Sequence, residues 1–128
     1  MPFLASDLHA FDQTTVDRIY KELWTDVLPV NGEYRGQAWG KRPHGKLALF
    51  TSAAWQGKVF NDNKVMNRIL GRLWFEGDVS LGDEGQVVIY YPTLHLADNL
   101  RPVTPLLWLG RMTTGKATVN FTLERIFR

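Results

Sequence analysis

The sequence contains no cysteine in 128 residues. That absence excludes disulfide bonds, thiol nucleophiles, and zinc or iron–sulfur centres with thiolate ligands. No segment approaches the roughly 20 apolar residues of a membrane-spanning helix. The amino terminus also lacks the basic and apolar regions of a secretory signal. We therefore expect a soluble, cytoplasmic protein that has no membrane partner.

An excess of one charge is also missing. Fifteen Lys and Arg against 13 Asp and Glu give a net charge of +2. The nearest basic cluster, residues 41–46, is too small for a nucleic-acid surface, so we expect no nucleic-acid partner. The three His are far apart and predict no metal site. We expect no cofactor, although a lone His binding haem inside a barrel is an alternative.

Several catalytic signatures are absent as well. The sequence has no glycine-rich phosphate loop, no serine-nucleophile elbow and no paired-carboxylate signature. Aromatic residues, in contrast, are abundant: five Trp, four Tyr and seven Phe. A chain of this length forms one domain, which must bury these rings or line a pocket with them.

Residues 12–27 have apolar side chains at helical spacing. Asp12 or Thr14 can cap the amino terminus of this predicted helix, with Asp17 as a capping-box acid after Thr14. Pro29 and Gly32 mark its end.

The rest of the chain is typical of β structure. Short apolar segments alternate with glycine-rich turns, and residues 79–89 and 107–121 are typical of hairpins. Residues 61–70 are ambiguous between a short helix and a loop. The predicted strands are 33–39, 46–53, 56–60, 73–81, 86–91, 106–112 and 117–127. We predict a mostly β, single-domain fold: a small antiparallel barrel or strongly curved sheet of seven or eight strands, about 33–127, behind an amino-terminal helix.

Five short motifs occur in register between residues 28 and 126. They are GEYRG at 32–36, WQGKVF at 55–60, YPTLHLADNLRPV at 91–103, GRM at 110–112 and FTLER at 121–125. Together they resemble an uncharacterised bacterial family named for its GXWXG motif, including the adjoining half with Y-D-x-L-P-I-x-D-x-F-R. The resemblance implies a common, mostly β fold and a shared segment around 91–103, but no reaction. The chain departs from that pattern at Tyr34, at Pro92 and at His95, which stands where the family has proline.

Residues 90–101 hold the strongest candidates for chemistry: Tyr91, His95, Asp98 and Arg101. If residues 93–101 turn helically, His95 lies beside Asp98. Asp98 could then orient the imidazole for proton transfer, and Arg101 could bind an anionic group or stabilise an oxyanion. The alternatives are that Asp98 and Arg101 form a structural ion pair and that His95 is a neutral replacement.

Lys58 follows Gly57, which lets the backbone bend, so its amine could enter a pocket beside Trp55. The alternative is a solvated surface lysine. His44, in a predicted turn at 43–45, is expected to be exposed, and His9 is expected to have no role.

The aromatic residues of the predicted strands could line a pocket. Tyr34 and Trp39 could instead plug one end of the barrel. The candidates for substrate binding are Tyr34, Trp39, Trp55, Trp74 and Trp108.

Three functions remain open. The first is a barrel that binds a small apolar or aromatic molecule. The second is a cofactor-independent acid–base enzyme (isomerase, cyclase, lyase or decarboxylase) in which His95 and Asp98 act with Tyr91, Arg101 or Lys58. The third is a structural or interaction module, such as a homodimer through the helix of residues 12–27.

Overall fold

The computed structural model describes residues 3–40, 54–114 and 117–127, and within these ranges the chain forms two helices and eight strands. Each strand pairs antiparallel with its neighbour in sequence, and β1 also pairs with β8, so the sheet closes into a barrel. This confirms the predicted fold class. The elements are α1 (Ala5–Ala10), α2 (Gln13–Glu22), β1 (Gly32–Gly40), β2 (Trp55–Asn61), β3 (Lys64–Ile69), β4 (Arg72–Leu81), β5 (Val87–Tyr91), β6 (Leu96–Thr104), β7 (Leu107–Thr114) and β8 (Ala117–Arg125).

The alternation of side chains along the strands produces two separate cores. One fills the barrel with apolar side chains such as Phe60, Ile89 and Leu123. The other lies outside the barrel, where helices α1 and α2 cover the sheet. Leu8 and Val16 of these helices are fully buried there. The apolar face of α2 is therefore packed against the chain's own barrel.

Helix α2 begins where the sequence predicts but ends earlier. The side chain of Asp12 accepts a hydrogen bond from the Thr15 N–H at 2.8 Å, the expected cap. The prediction that the helix continues to residue 27 is wrong, because Leu23 is already extended and Trp24 is 64% exposed. Helix α1 was not predicted, since six residues are too few for a helical period to be recognised.

Most strand predictions are confirmed to within one or two residues, including the hairpins β4–β5 and β7–β8. Two predictions need correction. Residues 61–70 contain the end of β2, a tight turn and β3, and residues 93–101 form a turn followed by β6 instead of a helical segment. The predicted strand 46–53, the turn 43–45 with His44, and the basic cluster 41–46 lie outside the described residues.

The meander gives the barrel two distinct ends. We call the upper end the one at which residues 92–95 connect β5 to β6 and residues 70–71 connect β3 to β4. The lower end holds the turns at 62–63, 82–86 and 105–106. Neither described helix is long and apolar enough to cross a bilayer.

Candidate functional site

Five polar or aromatic side chains meet inside the barrel, and we call them the interior cluster. They come from β2, β3, β5 and β6 and lie nearer the upper end. Four of the five side chains are at most 1% exposed, and the indole of Trp55 is 5% exposed. The members of the cluster are Trp55, Lys58, Asn67, Tyr91 and Asp98.

Hydrogen bonds join all five members. Lys58 Nζ lies 3.0 Å from Asp98 Oδ2 and donates to Asn67 Oδ1 at 2.7 Å. It also donates to the Tyr91 hydroxyl. The Tyr91 hydroxyl in turn donates to Asp98 Oδ2 at 3.0 Å. Trp55 Nε1 donates to Asn67 Oδ1 at 3.1 Å, so both donors converge on one amide oxygen.

A backbone irregularity in β2 allows Trp55 and Lys58 to face inward together. In a regular strand, residues three apart point to opposite faces. Here the pairing of β2 with β3 shifts between Trp55 and Gly57, which corrects the alternation. Gly57 has a φ of 140°, and a Cβ at this position would overlap the carbonyl oxygen of Tyr34. Glycine is thus required beside the lysine.

A second irregularity positions Asn67. The pairing of β3 with β4 shifts between Val65 and Asn67, opposite Phe75, whose φ is 54°. Asn67 Nδ2 donates to the Phe75 carbonyl at 3.2 Å, so the amide supports this kink. Its oxygen remains directed at Lys58 and Trp55. Asn67 therefore forms hydrogen bonds both to the kinked strand β4 and to two members of the cluster.

Burial changes the pKa values of two members of the cluster, Lys58 and Tyr91. It lowers the pKa of the Lys58 amine, and the carboxylate of Asp98 partly opposes that shift. Burial also raises the pKa of the Tyr91 phenol well above its usual range, and the negative charge of Asp98 adds to this shift. The Lys58 amine lies 5.0 Å from the ring centre of Tyr91 and 5.4 Å from that of Trp55, within the range of cation–π attraction.

A small cavity adjoins the cluster. It contains about 10 Å³ of space for the centre of a water-sized sphere, which is room for roughly one water molecule. Asp98 Oδ1 is buried, and it has no hydrogen-bond partner within the described ranges. The cavity is lined by Trp55, Lys58, Asp98, Met112, Val119 and Phe121.

Arg101 does not belong to the cluster. Asp98 points into the barrel, whereas Arg101, three residues further along β6, lies under helix α2. Its Nη1 donates to the carbonyl oxygens of Tyr20 and Lys21 at 3.3 and 3.2 Å. Asp98 pairs with Lys58 instead. The expected Asp98–Arg101 ion pair is therefore wrong, and Arg101 satisfies carbonyl groups at the end of a helix.

His95 also lies away from the cluster. It is an exposed residue in the turn at the upper end, with a φ of 52°. Asp98 is fully buried on β6. The expected contact between the imidazole and Asp98 required a helical turn, and the strand removes it.

The five predicted aromatic residues are divided between four environments. Only Trp55 lines the cavity. Tyr34 and Trp108 are buried in the barrel core, and the Tyr34 hydroxyl donates to the Val30 carbonyl at 2.8 Å. Trp74 is 49% exposed, and Trp39 lies on the outer face beneath the helices.

His9, which we expected to have no role, packs on this outer face. Its ring stacks on Trp39 with centroids 4.1 Å apart, and Nε2 lies 3.0 Å from the Thr122 hydroxyl. Burial lowers the pKa of His9, while the charge of Glu124 opposes the shift. His9 therefore helps to attach helix α1 to the barrel.

Sequence reasoning missed Asn67. The alternation of Val65, Asn67 and Ile69 was a signal for a strand with an inward-facing amide, but a polar residue at the central position hid it.

Among the described residues, no three His, Asp or Glu side chains converge on a possible metal site.

Comparison with known proteins supports the fold but not an activity. No protein-family model matches the chain, and no curated protein matches it. The fold is similar to the crystal structure of a protein from Thermomonospora curvata, with a TM-score of 0.72 and 20% sequence identity. The alignment covers 95% of this chain and 93% of that one. The resemblance to the GXWXG family stays a prediction, and the structural similarity establishes a shared barrel fold alone.

Proposed function

We propose that this chain binds a small, mostly apolar molecule in the upper half of the barrel. The hydrogen-bonding group of that molecule reaches the interior cluster. The observation that carries the proposal is the buried oxygen Asp98 Oδ1 at the edge of a cavity, which no donor of the described residues reaches. A hydroxyl or amine of the ligand would donate to this oxygen.

The energetics of the cluster favour a binding role over a stabilising one. A buried ion pair usually contributes little net stability, because desolvating both charges costs about as much as their attraction returns. A buried carboxylate oxygen without a donor adds a further cost of about 1–3 kcal/mol. A buried charged group retained at such cost, with its pKa lowered by burial as that of Lys58 is, is typical of a functional site.

The lining of the cavity defines the chemistry of the ligand. One wall is polar, with Lys58 and Asp98, while Trp55, Met112 and Phe121 supply apolar and aromatic surface. The existing space admits only a group of about the size of a water molecule. The polar group of the ligand would fill it, and the apolar body would displace lining side chains. Met112 is suited to this movement because its unbranched side chain adapts readily.

The shared motifs support the same location. Trp55, Lys58, Tyr91 and Asp98 belong to two separate motifs through which the sequence resembles the GXWXG family. In the barrel, all four contribute to the interior cluster. A ligand site common to that family would account for both observations.

Tryptophan fluorescence tests the binding proposal. Phenolic, terpenoid and acyl compounds are titrated into the wild-type protein and into two matched variants. Trp55→Phe removes the indole at the cavity, and Trp74→Phe removes an exposed one. We expect a saturable change that persists in Trp74→Phe and largely disappears in Trp55→Phe. A folded protein that responds to none of the compounds would contradict the proposal.

The second candidate function is acid–base catalysis in the same cavity. The specific observation that favours it is the connected chain of Lys58, Tyr91 and Asp98, whose hydroxyl and amine groups could move a proton without a cofactor. In this version Lys58 and Tyr91 take the role expected of His95. Incorporation of solvent deuterium next to the carbonyl group of a bound ketone would support catalysis. Binding without any exchange would favour the binding function alone.

A further inference from the structure

We propose that Lys58 is a carbonyl-reactive amine that forms a reversible imine with an aldehyde or ketone bound in the barrel. The inference rests on the proposed binding function and names its substrate class. It starts from the position of Lys58 Nζ at the cavity wall, with a carboxylate and a phenol in hydrogen-bond contact. These are the groups that imine formation requires: a nucleophile, a proton acceptor and a proton donor.

The surroundings of the amine favour nucleophilic attack. Lys58 is 1% exposed and lies among the rings of Trp55, Tyr91 and Phe121. Desolvation disfavours the ammonium form and so increases the neutral, nucleophilic fraction of a lysine. The fraction of neutral amine at a given pH below the pKa rises about tenfold for each unit by which the pKa falls.

Lys58, Tyr91 and Asp98 can together donate and accept every proton that imine formation moves. Asp98 takes a proton from the Lys58 ammonium, and the neutral nitrogen attacks the carbonyl carbon as the carbonyl π bond breaks. The Tyr91 hydroxyl relays a proton from nitrogen to the new alkoxide, which gives a neutral carbinolamine. The Asp98 carboxylic acid then protonates the carbinolamine hydroxyl. Water leaves, and a protonated imine remains beside the Asp98 carboxylate.

The overall reaction conserves charge in the barrel. One ammonium and one aldehyde become one protonated imine and one water, so Asp98 faces a single positive charge before and after. The carboxylate lies 3.0 Å from the lysine nitrogen and can serve as the counter-ion of the imine. The apolar rings around the nitrogen would also limit access of water and slow hydrolysis.

Paired probes separate imine formation from simple binding. Propanal, benzaldehyde and cinnamaldehyde are each compared with the corresponding alcohol, which matches the aldehyde in size but forms no imine. Tryptophan fluorescence reports binding of both members of each pair. Cyanoborohydride then reduces any protonated imine to a stable amine, and peptide mapping by mass spectrometry locates the modified lysine.

Lys64 provides an internal control, because it is exposed and its hydrogen bond to Asp78 raises its pKa. At pH 7.5 we expect labelling of Lys58 to exceed that of Lys64 by about tenfold or more. Lys58→Arg should abolish the site-specific adduct, and Lys64→Arg should retain it. The mapping of the wild-type protein stands on its own if Lys58→Arg does not fold.

Each result has a defined meaning. Fluorescence binding of aldehyde and alcohol together with a preferred adduct at Lys58 supports the proposal. Binding of both members of a pair, with Lys58 labelled no more than Lys64, overturns the imine and leaves the binding function intact. If no member of any pair binds and Lys58 is not labelled, both the imine and the binding function are overturned for this class of ligand.

Discussion

Lys58 and Asp98 form an ion pair of 3.0 Å across the interior of the barrel, although they lie on β2 and β6, which are not neighbouring strands. Both side chains are at most 1% exposed. The pair is joined by Asn67 and Tyr91, so four strands contribute to one polar network. This arrangement defines the strongest expectations for experiments on the protein.

Removing one charge of the buried pair should destabilise the fold more than removing both. We expect Lys58→Met to lower the free energy of unfolding by about 3–5 kcal/mol, because it leaves Asp98 buried without its cation. The double variant Lys58→Met/Asp98→Leu should recover most of this loss. Urea unfolding followed by circular dichroism measures both.

The exposed pair Lys64–Asp78 is the matched control. Lys64→Met should change the free energy of unfolding far less than Lys58→Met does, as is usual for a solvated ion pair. A double variant at Lys58 and Asp98 that is less stable than either single variant would show that the pair is chiefly stabilising. That result would weaken the argument for a functional site.

Arg101 should behave as a structural residue. Arg101→Met removes the donor to the carbonyl oxygens of Tyr20 and Lys21, and we expect a loss of about 2 kcal/mol in stability. Ligand affinity should stay within about twofold of wild type, a difference of only a few tenths of a kcal/mol. Arg72→Met, at an exposed position, should alter stability by less than about 0.5 kcal/mol. A selective loss of binding in Arg101→Met would contradict this prediction and would indicate that Arg101 belongs to the ligand site.

His95 offers a test of backbone strain. Its φ of 52° is unfavourable for a residue with a Cβ and easy for glycine. We therefore expect His95→Gly to be more stable than His95→Ala by about 0.5–1 kcal/mol in thermal or urea unfolding. Both variants should bind ligand as the wild type does, since the imidazole lies outside the cluster. Loss of binding or turnover in both variants would contradict this placement.

The stability of the protein should decrease in mild acid through His9. Burial lowers the pKa of His9 in the folded state, so the unfolded chain binds more protons once the pH falls below about 6.5. The stability that neutral His9 contributes to the fold is therefore present at neutral pH. It is lost as the pH falls through the pKa of His9 in the folded state. The difference in melting temperature between pH 7.5 and 5.5 should be smaller in His9→Gln than in wild type. An unchanged difference would exclude His9 as the source.

The fold was predictable because most strands are regular. β5 has apolar residues throughout, and the flanking glycines and turns define the hairpins, so a closed antiparallel meander follows from local pattern. Two strands that were missed, β3 and β6, contribute Asn67 and Asp98 to the site. Asn67 interrupts β3 and Asp98 interrupts β6 with an inward polar side chain, which obscures the alternation that predicts a strand.

The composition of the site was only partly predictable for a related reason. Lys58, Tyr91, Asp98 and Trp55 were singled out, because polar groups beside aromatic or apolar runs are noticeable in a sequence. Their mutual contacts depend on the register shift in β2 and on closure of the barrel, which pair residues far apart in the chain. No local spacing indicates that Lys58, and not Arg101, is the partner of Asp98.

The most direct test of the central claim uses the five indole N–H signals of the protein in a ¹H–¹⁵N nuclear magnetic resonance spectrum. Trp55 Nε1 donates to Asn67 inside the cluster, whereas Trp24 and Trp74 are exposed. On titration with a ligand, the binding account predicts a saturable shift of the Trp55 indole signal with little change at Trp24 and Trp74. Saturable shifts confined to the exposed indoles, with Trp55 unchanged, would contradict a ligand site inside the barrel.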